Sequence, residues 1–177
     1  MKLSTKLLFS FVLCAVITLA VGTLGINGVS RLATALDSAF SNNLVSVSNT
    51  NATLNGLVAH NRGLYRLLDA SRGDISSQDR DRVRQDIANE LKRSQTAYAI
   101  YRATPLEDDE RVAGDTLDKI WPNYVASSGQ IISMMDAGQT DQARTLLNTS
   151  NNELFRQSRD LLKIMVDSNN RQIKEGA

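Results

Sequence analysis

Arg62 and Arg66, one helical turn apart, are the side chains in this sequence best suited to chemistry. Tyr65 stands between them and His60 just before. A guanidinium keeps its charge and offers a planar fork of N–H donors that matches a carboxylate or phosphate. A spacing of four puts both arginines on one face of a helix. Such a face is not core. It is either a solvated surface or a strip that recognises an anion, and spacing alone leaves both readings open. Catalytic chemistry has no comparable candidate. The sequence has no nucleophile motif, glycine-rich phosphate loop, paired-carboxylate signature or His/Cys metal spacing. No catalytic residue, metal ligand or cofactor is therefore assigned, and a non-enzyme is expected. His60 is the single histidine; alone it builds no metal site and suits a surface or pocket hydrogen bond.

The elements that must position these residues are helices. Leu54, Leu57, Asn61, Leu64 and Leu68 recur in alternating steps of three and four, forming a narrow seam opposite the arginines. Leu32, Leu36, Phe40, Leu44 and Val47 lead into it, so one helix is expected from Ser30 to Ser71. That is about 42 residues, or roughly 63 Å at the α-helical rise. Its middle is rich in Ser, Asn and Thr and depends on partner helices. Gly73 is expected as its left-handed cap. Ser76 and Asp79 have capping-box spacing at the start of a second helix, whose face carries Val83, Ile87, Leu91, Tyr98 and Tyr101. That helix stops at Thr104-Pro105. Thr104 is expected to cap a third helix, with Pro105 in its first position and Glu107 completing a capping box.

The third helix carries Val112, Leu117, Ile120, Tyr124, Ile131 and Met134, with a bend expected at Pro122. Gly138 is expected to end it, and Thr140 with Asp141 to start a fourth helix. Ala143, Leu147, Ser150, Leu154, Leu161 and Met165 share a face of that helix, and the pattern continues to Ile173. Short connections between long helices predict an all-α fold, an antiparallel up-down four-helix bundle preceded by one transmembrane helix.

The membrane helix is read from Leu7 to Ile26, a run without charge and about 20 residues long, enough to cross a bilayer core. Lys2 and Lys6 precede it, which orients the N-terminus to the cytoplasm. Ala20-Val21-Gly22 would suit a signal peptidase, but the apolar run continues past it, so a retained anchor is expected. The expected division is a cytoplasmic tip at 1–6, a transmembrane helix at 7–28 and a periplasmic four-helix bundle at 29–177. Lys plus Arg is 20 and Asp plus Glu 19, a balance with no field to attract nucleic acid. The single cysteine, Cys14, excludes an internal disulfide.

This order resembles the N-terminal part of methyl-accepting chemotaxis proteins that carry a four-helix-bundle ligand-binding domain. The stretches that carry the likeness are Arg62 to Ser71, the Thr104-Pro105-Leu106 turn, and Gly138 to Leu147. The resemblance implies a chemoreceptor sensor that dimerises in the inner membrane and binds a small ligand in the periplasm. In the aspartate and serine branch of that family, arginines placed like Arg62 and Arg66 bind ligand carboxylates at the dimer interface. The start of the last helix, here Asn148 and Thr149, supplies polar groups. No further arginine stands upstream, where Leu57 to His60 stand. The branch sensing small organic acids, a C4-dicarboxylate or citrate-like ligand, then fits, with Tyr65, His60, Tyr101, Thr104, Trp121 and Tyr124 as further wall residues. A cytoplasmic adaptor and kinase would be reached only through a second span and signalling region outside these 177 residues. The alternatives are a structural spacer, a docking surface for a periplasmic binding protein, or the input domain of a sensor histidine kinase.

Overall fold

A computed structural model describes residues 3–38, 44–71, 73 and 76–175. Among these the chain is 93% helical and has no strand. The N-terminal unit is a single helix, α1 (Leu3–Ser38). Its stretch from Phe11 to Thr34 is 24 residues long and apolar enough to cross a membrane. The expected rod from Ser30 to Ser71 is two described helices, α1 and α2 (Leu44–Ala70). Their junction at 39–43, Phe40 included, lies outside the described residues.

The second unit is the bundle: α2, α3 (Ser77–Arg102), α4 (Asp108–Asp136), α5 (Thr140–Leu146), a π-helical turn (Leu147–Asn151) and α6 (Asn152–Glu175). The antiparallel register is read from its cross-helix pairs. Ser94 Oγ donates to the Thr53 carbonyl, while Gly63 lies against Ile87. Tyr65 pairs with Asn148, and Asp109 with Ser168. As numbers rise along one helix they fall along its neighbour. α2 packs on α3 and α6, and α4 on α5 and α6.

The buried face of α2 is a heptad stripe: Ser46, Thr50, Thr53, Leu57, His60, Leu64 and Leu67. Gly56, Gly63 and Ala70 form a second stripe at steps of seven, and there α3 comes close. A Cβ on Gly56 would meet Ser94 Cβ at 2.8 Å. Apolar packing forms two clusters. Leu64, Leu67, Ile87, Ile131 and Leu147 build one; Leu57, Tyr101, Leu117, Tyr124, Leu162 and Met165 build the other. Each fully buried leucine contributes about 1.5–3 kcal/mol. Between the clusters, along α2, α4 and the last helix, lie His60, Asn61, Ser128 and Asn151, all buried and polar.

Helix ends follow local chemistry, with one departure from expectation. The Ser76 side chain accepts from the Asp79 N–H at 3.1 Å, as its spacing predicts. Gly138 is left-handed (φ 74°), and Gln139 N–H donates to the Met134 carbonyl and Gly138 N–H to that of Met135. This is the Schellman arrangement. The expected cap at Gly73 involves Arg72 and Asp74, which lie outside the described residues. Thr104 does not cap the third helix. Its hydroxyl donates to the Tyr101 carbonyl at 2.7 Å, closing α3, and α4 begins at Asp108 with Glu107 as N-cap. Pro105, Leu106 and Glu107 separate Thr104 from the first residue of α4. The fourth helix runs from Thr140 to Glu175 as expected and carries a π turn, Leu147–Asn151, between its α-helical parts.

Candidate functional site

Arg62 and Arg66 are exposed on α2, away from its buried stripe. Among the described residues neither makes an ion pair. Tyr65, between them, is half-buried, and its hydroxyl donates to Asn148 Oδ1 at 3.1 Å. Asn148 and Thr149 are exposed and lie in the π turn. The structure thus links the arginine-bearing face of α2 to the turn that opens the last helix. Two unpaired guanidiniums, a phenol and an amide are a donor-rich set suited to carboxylate oxygens. Arg66 also borders an open groove of about 490 Å³ with Asp69, Asp79 and Arg82.

The other five site candidates are not on that strip. Tyr124 is fully buried, and its hydroxyl lies 2.7 Å from His60 Nδ1. The two rings meet edge-on at 5.4 Å. Burial pushes the His60 pKa down to about 4 and the Tyr124 phenol up. Tyr101 is fully buried and donates to Glu110 Oε1 at 2.9 Å. Trp121 stacks on Tyr98 at 6.1 Å within the second apolar cluster. Thr104 accepts from Ser46 Oγ at 3.0 Å and ties the start of α2 to the α3–α4 turn. These residues fill and close one bundle rather than line an open wall beside the arginines.

Two features escaped the pattern of the sequence. The π turn is one, although Asn148, Thr149, Ser150, Asn151 and Asn152 are a run of weak helix formers. Such turns recur at functional sites. The other is Glu110, which reads as a solvated first-turn acid and is 1% exposed.

The described residues thus form an antiparallel helical bundle carrying a donor-rich strip, in a chain whose N-terminal helix is apolar enough to cross a membrane. The chain belongs to the family described as the four helix bundle sensory module for signal transduction, whose model matches residues 1–175. Comparison with curated proteins and with solved structures gave no match.

Proposed function

We propose that this sensory module is the periplasmic input part of an inner-membrane chemoreceptor, with α1 as its anchor and residues 29–177 outside the membrane. Its ligand is a small organic acid, a C4-dicarboxylate or citrate-like molecule, and its working form is a homodimer. The observation that carries this reading is the pair Arg62 and Arg66, exposed and without acidic partners among the described residues, beside Tyr65 and Asn148. The strip recognises and does not catalyse. His60 is buried against Tyr124 and out of reach as a base.

Magnitudes support a two-arginine site. Charge-assisted hydrogen bonds contribute about 1.5–3 kcal/mol each, and micromolar affinity requires about 8 kcal/mol. Two guanidiniums with the Thr149 hydroxyl and an amide donor reach that range. The test is calorimetric titration of the chain with succinate, malate, citrate and a panel of amino acids. One organic acid should bind in the micromolar range, and Arg62→Ala and Arg66→Ala should each weaken it at least about tenfold. A panel in which no organic acid binds, or arginine variants that bind as tightly as wild type, would overturn the reading.

A further inference from the structure

A sensory module needs an element with two states. The end of the bundle far from the arginine strip holds a buried polar cluster. Thr50 lies 15 residues before Tyr65 along α2, roughly 22 Å at the helical rise. There the first turn of α4 meets the last turns of α6. Glu110 Oε1 accepts from the Tyr101 hydroxyl at 2.9 Å and from Asn169 Nδ2 at 2.6 Å. Its Oε2 accepts from the Glu107 N–H at 2.8 Å and from Gln172 Nε2 at 3.0 Å. Asp109 accepts from Ser168 Oγ at 2.9 Å and from Arg171 Nη2 at 2.6 Å. Asn169 Nδ2 also lies 3.5 Å from Thr50 Oγ1, so α2, α3, α4 and α6 all contribute a side chain to this cluster.

Among the described residues, apolar packing does not hold this end of α6. Residues 168–172 are Ser, Asn, Asn, Arg and Gln, and the second apolar cluster reaches no further along α6 than Met165. The buried α2 side chains at this level are Ser46 and Thr50. A greasy seam tolerates sliding and partial contact. A buried carboxylate does not, because each lost donor leaves a desolvated lone pair. A displacement of α6 by one residue, about 1.5 Å, moves its four donors together. The contact is therefore either complete or open to water.

We propose that Asp109 and Glu110 form a latch that sets the register of the last turns of α6, giving that helix a held and a released state. The inference concerns the bundle alone and does not depend on which ligand binds. Hydrogen exchange on the whole chain in lipid nanodiscs tests it. Glu110→Ala and Glu110→Gln should raise amide exchange across residues 166–175 at least tenfold while 154–163 keep wild-type protection. Gln172→Ala, a milder change made from α6, should raise the same segment less. Asp160→Asn, at a pair exposed on α6, should change nothing. Unchanged exchange at 166–175 in the Glu110 variants overturns the latch. So does a rise spread evenly over the bundle, and if both Glu110 variants unfold, the same criteria apply to Gln172→Ala.

Discussion

Burial keeps the His60 imidazole neutral in the folded bundle, with its pKa pushed down to about 4 from 6.5. The sign of its effect on stability follows. Above about pH 6.5 both folded and unfolded chains carry a neutral ring, and its contribution is fully present. As pH falls below that value, the unfolded chain takes up a proton that the folded chain refuses until about pH 4. Stability is lost across that window, by about 2 kcal/mol between pH 7.5 and 5. Urea unfolding at the two pH values measures it. His60→Phe should flatten the dependence; an unchanged slope would assign it to other groups. The exposed arginines behave oppositely at this scale. They lie at the surface, open to a counter-charge, whereas His60 is shut away from one.

Helix against helix, glycines decide how closely α2 and α3 approach. A Cβ at Gly56 would lie 3.1 Å from both the Glu90 carbonyl oxygen and Ser94 Cα, backbone atoms that cannot step aside. Overpacking costs about 1–3 kcal/mol, and alanine gains about 1 kcal/mol in helix propensity. Gly56→Ala is therefore expected to destabilise the bundle by about 1 kcal/mol net. Gly129, exposed in α4, has nothing within 4 Å of its would-be Cβ. Gly129→Ala should stabilise by up to about 1 kcal/mol. Chemical denaturation of the two variants should give opposite signs, and matching signs would mean that the α2–α3 approach does not limit packing.

For the whole molecule, charge and assembly are linked. Two copies meeting along the Arg62/Arg66 strip would gather four guanidiniums, opposing association by a few tenths to about 1 kcal/mol per close pair. A dicarboxylate bridging them would neutralise part of that cluster. Ligand binding and dimerisation must then favour each other equally. The expected result is a weak dimer that tightens with the correct organic acid. Arg62→Ala should dimerise at least as well as wild type without ligand. Sedimentation with and without ligand measures both, and dimerisation indifferent to a bound ligand would place the ligand within a single bundle.

The sequence by itself determined the all-α bundle, the apolar N-terminal helix, the Ser76 and Gly138 helix ends and the exposed arginine pair. These are local matters: a step of three or four sorts a helix into faces, a capping side chain needs only its neighbours, and an unpaired guanidinium stays at the surface. Tertiary structure decided depth and partnership. Tyr101, Trp121 and Tyr124 share helix faces that periodicity identifies, but only the packing of α4 and α6 against α2 and α3 makes them core instead of wall. Thr104 had two turns to serve, and the position of Ser46 and the Tyr101 carbonyl settled which. The π turn interrupts a pattern whose apolar residues continue on either side. Glu110 could enter the interior because Tyr101, Asn169 and Gln172 bring donors to it from as far as 62 residues away. Local spacing carries no record of such a meeting, since a buried charge is stable only after distant partners have already assembled around it.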